Sequence, residues 1–398
     1  MIELDVAPRR TKIEAPASEP ARYLVLGDFG ARTAEPLAVD RDNLDAVMAI
    51  LHVEAGGMRL RDLEDFHPDR LYQRFDLAAP DMSAPSAPEP EPEPASPQAD
   101  IAALLRPTSL LEQIAGGGAD PFEQYVKELG RAHAASRKKS VDPSAALSER
   151  MNSMLHHPRF QTLESAWRGL DFAIRQMDDA VARVHIAQFS QDDLAADLAS
   201  DNLRATRLYT LLHSRRWTAA IGLHSFDEAD IELLARIALV AADAQVPYLA
   251  QGSPEISSEL FSDIPEVSYL GLALPRLLLR LPYGPHTSPI DSFVYEEMSA
   301  VPLHQHYLWG NAALACLAVL LRADTDDLNL DHLPAHTYKK DSEWIMTPCG
   351  EFFMTETQVL ALIDRGLMPL VSYKDRPLVR LAGFRAVNGK PLPFSVPF

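Results

Sequence analysis

Between Met82 and Asp100 the chain reads MSAPSAPEPEPEPASPQAD, with proline recurring around Glu89, Glu91 and Glu93 and no apolar side chain larger than alanine after Met82. Proline fixes φ and removes a donor, and the like charges repel, so the stretch predicts an extended, semi-rigid spacer that no hydrophobic core absorbs. It divides the chain into a first unit over residues 1–80, a Pro/Glu-rich linker and helical connector over 81–147, and a second unit over 148–398. The connector rests on the break AGGGADP (Ala115 to Pro121) and the basic run Arg137-Lys138-Lys139. At roughly 150 residues per domain, 398 residues suffice for two or three domains and at least one sizeable core.

Within the first unit, Tyr23 to Leu26 reads as a buried strand stopping at the Gly27-Asp28 turn. Leu44, Val47, Met48 and Leu51 then follow the spacing of an amphipathic helix, with Asp40 as its candidate N-cap. Met58, Leu60 and Asp62 alternate as a second strand. Pro68, behind Asp65 or His67 as cap, starts a helix with Leu71, Tyr72 and Phe75 facing inward. These elements make a small α+β module.

The second unit opens with two helices divided at Pro158, the second carrying the stripe Phe160, Leu163, Trp167, Leu170 and Ile174. Residues 182–189, 217–226 and 246–251 read as strands, with helical patterns at 191–199 and 227–243 between them. Residues 269–285, rich in leucine and interrupted by Pro275 and Pro282, form a buried segment ending in a turn. Helices near 306–322 and 355–365 and a strand at Met368 to Tyr373 follow. Strands alternating with helices imply an α/β fold, its largely parallel mixed sheet covered by helices.

Composition narrows the function. Lys and Arg total 37 against 56 Asp and Glu, a formal net charge of −19 with 47% hydrophobic residues, which describes a globular chain and argues against a surface that neutralises phosphates. No nucleic-acid partner is expected. Cys316 and Cys349 are the only cysteines, so a disulfide framework is excluded and a reducing, cytoplasmic setting is expected. The N-terminus lacks the apolar stretch of a secretory signal, and the most apolar run, Leu308 to Leu321, contains Asn311 and is too short to span a bilayer.

No motif demands catalysis. GDFGAR has only G-x-x-G spacing without the Lys-Ser/Thr of a phosphate loop, and reads as a turn. His304 and His306 form an H-x-H pair and His156-His157 an H-H pair, yet no HExxH, CxxC or acidic cluster completes a metal site, so structural histidines outrank ligands. A metal-dependent hydrolase using His304 and His306 is the remaining enzymatic alternative. Cys316 lies in an apolar helical stretch where a thiol is inert, and no G-x-S-x-G elbow is present. Glu296-Glu297 and Asp326-Asp327 read as solvated surface, and DLEDFHPDR as acids at a helix start. The expectation is a protein that is not an enzyme and holds no cofactor or metal.

The order of certain segments resembles a known family. GDFGAR, VDRDNLDAVM and LEDFHPDRL resemble the small subunit of the type VI secretion contractile sheath; MNSMLHHPRFQTLESAWRGLDF, YLGLALPRLLLRLPYGP, YLWGNAA, LPAHTY and TETQVLALIDRGLMPLV resemble its large subunit. The resemblance implies a fused small-plus-large sheath protein whose partners are sheath subunits or copies of itself, with the inner tube, baseplate or a sheath-recycling unfoldase as further candidates. It covers most of residues 21–76 and 148–375. The large subunit has a longer segment before its L-P-R motif, a glycine-rich stretch before L-P-x-H-T and a substantial C-terminal region; this chain shortens the first two and stops at Phe398. Residues 77–147 replace the small subunit's C-terminal region. Because in the family the missing C-terminal pieces, with the arms of both subunits, exchange strands between protomers, the resemblance implies either a polymerising subunit or, from the short C-terminus, an accessory that caps, nucleates or adapts the sheath, with an assembly chaperone or adaptor as a further alternative. On this reading Asp40, Arg41 and Asp42, and the segment of His67, Asp69 and Arg70, are candidate intersubunit or cap contacts, plain solvated surface being the alternative.

Overall fold

The computed structural model describes residues 19–31, 35–55, 58–74, 143–324, 326–374 and 376–394. The Pro/Glu stretch, nearly all of the helical connector and Phe75 lie outside them. In chain order the first part supplies β1 (Ala21–Gly27), β2 (Leu37–Val39), α1 (Leu44–Leu51), β3 (Glu54–Ala55), β4 (Met58–Arg59) and α2 (Pro68–Arg74). After the linker come α3 (Pro143–Leu155), α4 (Pro158–Ile174), β5 (Ala182–Gln188), α5 (Gln191–Leu198), α6 (Arg207–His213), β6 (Ala219–Phe226), α7 (Ile231–Ala244), β7 (Tyr248–Gly252) and β8 (Leu270–Leu274). The remainder is β9 (Leu277–Leu278), β10 (Trp309–Gly310), α8 (Ala313–Leu320), β11 (Asn329–Asp331), β12 (His336–Lys340), β13 (Glu343–Thr347), α9 (Glu356–Asp364), β14 (Met368–Ser372) and β15 (Leu378–Leu381).

Among the described residues nine strands form one mixed sheet in the order β11-β15-β14-β8-β7-β6-β1-β5-β2. From β5 across to β14 all neighbours are parallel, and antiparallel strands close both ends. The fold is therefore α/β. The strand read at Tyr23–Leu26 lies inside this sheet, paired to β5 on one side and β6 on the other. A strand covered on both faces needs an unbroken apolar run, which YLVL provides. Its side chains alternate between two cores: Tyr23 and Val25 join α1, α3, α4 and α8 on one face, and Leu24 and Leu26 join α5, α6, α7 and α9 on the other. Each such side chain contributes about 1.5–3 kcal/mol on burial.

Local chemistry fixes the segments around β1. Gly30 adopts φ +68°, and a Cβ there would lie 2.9 Å from Leu163 of α4, so the turn after β1 needs glycine. Trp167 Nε1–H donates to the Phe29 carbonyl at 3.1 Å, and the two rings meet edge to face, so the α4 stripe seats directly on this turn. All five stripe residues are buried. At the start of α4, His157 accepts from the Arg159 amide and Pro158 occupies the first turn.

Some local expectations are corrected. Asn43, not Asp40, is the N-cap of α1, while Asp40 Oδ1 accepts from the amides of Asp42 and Asn43 and shapes the preceding turn. The second strand around Met58 shrinks to a two-residue ladder with Glu54–Ala55, because Asp62 instead caps a 3-10 turn at Leu63–Phe66. His67 precedes α2, with its carbonyl accepting from the Arg70 and Leu71 amides and its Nδ1 from Asp69. The helix near 306–322 is confined to Ala313–Leu320, since residues 304–306 form a 3-10 turn.

Candidate assembly surface and the buried charge cluster behind it

The features of this fold that can engage a neighbour or a ligand are its sheet edges, its exposed faces and its buried charges. Among the described residues the sheet ends on β2 and β11, each three residues long. Main-chain groups on such edges are ready acceptors and donors for an added strand. Near β2, Arg41 is exposed and pairs with Asp179 at 2.9 Å, and Asp42 is exposed beside it. Arg70 is exposed on α2.

Asp69 and His67 turn inward instead. Asp69 accepts from the amides of Asp291 and Ser292 at 2.8–3.1 Å, and the His67 ring meets Tyr283 edge-on at 4.9 Å. Burial raises the Asp69 carboxyl, but the bonds from Ser292 and Asp291 outweigh it and leave it below the ordinary range. These two side chains staple α2 to residues 283–292.

Beneath that staple lies a charge cluster. The Arg280 side chain is 10% exposed and reaches Glu297 through both terminal nitrogens, at 2.7 and 3.0 Å, and Glu164 of α4 through Nε at 2.9 Å. Arg168 Nε donates to the same Glu164 oxygen at 2.7 Å, and its other end donates to the Tyr283 hydroxyl at 3.2 Å. Tyr283 places its ring 4.3 Å from the Arg280 guanidinium and donates its amide to Glu297 at 2.7 Å. Burial alone would raise the Glu297 carboxyl; Arg280 and the bond from His156 reverse this and hold it at about 2. Glu297 is thus buried, which overturns its reading as solvated surface; Glu296 beside it is exposed. The second Glu164 oxygen is buried without a hydrogen bond.

A second buried carboxylate, Glu351, joins Arg276 and His304. Arg276 Nε donates at 3.0 Å, a terminal nitrogen donates to the other oxygen, and His304 Nε2 lies 2.7 Å from that oxygen. Burial pushes Glu351 up, and His304 with Arg276 brings it down to about 2. The two histidines of the H-x-H pair therefore diverge: His304 goes to Glu351, whereas His306 stacks on His156 at 3.9 Å, above Glu297. A cleft of about 730 Å³ opens there, lined by Glu149, Asn152, Ser153, His156, His157, Pro158 and His306. Among the described residues no group of three or more His, Cys, Asp or Glu could hold a metal ion, and no helix is long and apolar enough to cross a membrane.

At GDFGAR the amides of Phe29 and Ala31 donate to Gln188 Oε1, and Asp28 pairs with Arg159, so protein groups fill the turn. Burial raises Cys316 to about 12 and Cys349 to about 11. Asp326 and Asp327 are exposed. The residues that sequence reasoning missed are Glu164, Arg280, Glu297 and Glu351; the one available signal was an acid in the apolar stripe of α4.

The chain is 24% identical over 306 residues to "Type VI secretion system sheath protein TssC1" of Pseudomonas aeruginosa, a match covering 64% of this chain and 61% of that protein's length. The model of the VipB family, described as "EvpB/VC_A0108, tail sheath N-terminal domain", matches residues 140–265 and 257–388. Those stretches hold α4, the interior strands β5 to β8 and both buried carboxylate clusters, and leave residues 21–74 outside the match. With more than half of its length matched, this chain belongs to the VipB tail sheath family.

Proposed function

We propose that this chain is a non-enzymatic structural component of a type VI secretion system, a fused sheath-like protein that acts in or on the contractile tail sheath in the cytoplasm. Residues 1–80 take the place of a small sheath subunit, 81–147 link, and 148–398 take the place of the large one. The observation that carries this reading is the position of β1. A strand from outside the family match sits between β5 and β6, in the interior of the sheet that the matched region builds. Strand insertion of that kind is how separate chains join, and here one polypeptide supplies both sides. A sheath grows by repeating one contact that does not close, and contraction requires two packings of the same subunits separated by a few kcal/mol, so no side chain needs to do covalent chemistry. The partners on this reading are sheath subunits or further copies of the chain, met at the β2 and β11 edges and at Arg41, Asp42 and Arg70.

Electron microscopy of the purified chain, alone and mixed with sheath subunits, tests the proposal. Tubules containing the chain support a polymerising subunit, and sheath ends decorated by it support a cap or adaptor. Sheath that excludes it everywhere, with the chain remaining dispersed, rejects both.

A further inference from the structure

The hairpin β12–β13 forms a sheet of its own, and a two-stranded ribbon is marginal unless one face packs. One face does. His336 and Thr347 lie opposite each other across the ladder, and the Tyr307 hydroxyl lies 2.7 Å from His336 Nδ1 and 3.1 Å from Thr347 Oγ1. Alternation then puts Thr337, Lys339, Trp344 and Met346 on the other face, with Lys339 directly opposite Trp344. Trp344 is 75% exposed, whereas Trp167, Trp217 and Trp309 are buried. Neither its indole N–H nor Lys339 has a polar partner among the described residues. Between residues 140 and 373 the sequence has no lysines except Lys339 and Lys340.

An exposed indole beside a cation on a two-stranded surface suits one kind of occupant. Prolyl rings lie flat on the indole, its N–H meets a main-chain carbonyl, and the ammonium meets an acid, so an acidic polyproline II segment satisfies all three. The sequence carries a stretch of that composition: Pro88, Pro90, Pro92 and Pro94 alternate with Glu89, Glu91 and Glu93. We propose that the chain's own Pro/Glu stretch, residues 85–97, docks on Trp344 and Lys339. α2 ends at Arg74, and the ten or so residues before Pro85 reach about 33 Å when extended. A fold of this size has a radius of gyration of about 20 Å, so much of its surface is within reach. A tether also supplies an effective concentration that a free peptide lacks.

Acrylamide quenching of tryptophan fluorescence in the full chain tests this, because Trp344 supplies the accessible emission. Docking that covers most of the indole gives a quenching constant about threefold lower in the native chain than in Pro88→Ser/Pro90→Ser/Pro92→Ser/Pro94→Ser, unchanged on dilution. Trp344→Phe removes the difference, and circular dichroism confirms that each variant is folded. Glu89→Gln/Glu91→Gln/Glu93→Gln loses part of the protection. Equal quenching in the native chain and the proline variant overturns the proposal. Protection that weakens on dilution also overturns it, by assigning the contact to a second copy.

Discussion

Arg280 answers to two carboxylates and a ring, and so fixes α4, the 280–297 segment and the turn at Tyr283 at once. Removing one partner of a buried pair strands the others, a cost of about 3–5 kcal/mol, so Arg280→Met should lower the urea midpoint sharply. Arg41→Ala breaks only an exposed pair, and its stability should stay within about 0.5 kcal/mol of the parent. Histidines set the pH response. His224 is buried, with Nδ1 accepting from the Tyr248 hydroxyl at 2.7 Å and Nε2 donating to the Phe189 carbonyl at 2.8 Å. Burial lowers its pKa to about 4; burial, with His156 adding to it, does the same for His306, and burial with Arg215 and Arg22 for His185. The unfolded chain takes these protons near 6.5 and the folded chain only near 4, so stability falls as pH drops through that window, by about 3 kcal/mol from His224 alone. Glu297 and Glu351, held at about 2, extend the loss as pH falls from 4.5 toward 2. Thermal unfolding from pH 7.5 to 4 should show a steady decline with a shallower slope in His224→Asn; a flat profile would contradict the assignment.

Between elements, the staple from α2 to residues 291–292 hangs on one carboxylate. Asp69→Ala releases the Asp291 and Ser292 amides, and hydrogen exchange there should accelerate while β5 and β6 stay protected; unchanged exchange at both amides would rule the staple out. Elements with strong local pattern were legible in the sequence: the α4 stripe, the apolar runs of β5, β6 and β7, and α9 behind Thr355, whose capping box is formed. Three-residue β2 and the seven-residue α6 were not, because each spans fewer than two periods of the pattern that would betray it, too few repeats to stand out from chance. The sequence reading also omitted β12 and β13, whose burial is one-sided and weak. Glu297 was misread for a different reason. Two adjacent glutamates look solvated, and what pairs with the second in the interior is Arg280, seventeen residues earlier, together with His156, in the turn between α3 and α4 far back in the chain. The polar Asp40 to Asp42 turn was recognisable, but whether an exposed charge meets solvent or a neighbour has no local signature.

For the molecule as a whole, strand order matters more than chain order. If the spacer is only a covalent convenience, a protease site inserted near Gly117 should cut the chain without separating it: the fragments should co-elute in native buffer and part only in denaturant. Independent elution would show that residues 21–74 are not integral to the sheet. The same arrangement bears on synthesis. β1 leaves the ribosome about 160 residues before β5 and about 200 before β6, the two strands that will flank it. At the usual 5–20 residues per second, the greasy YLVL stretch waits roughly 10–40 s with neither flanking strand made, an interval in which its apolar surface is open to misassociation.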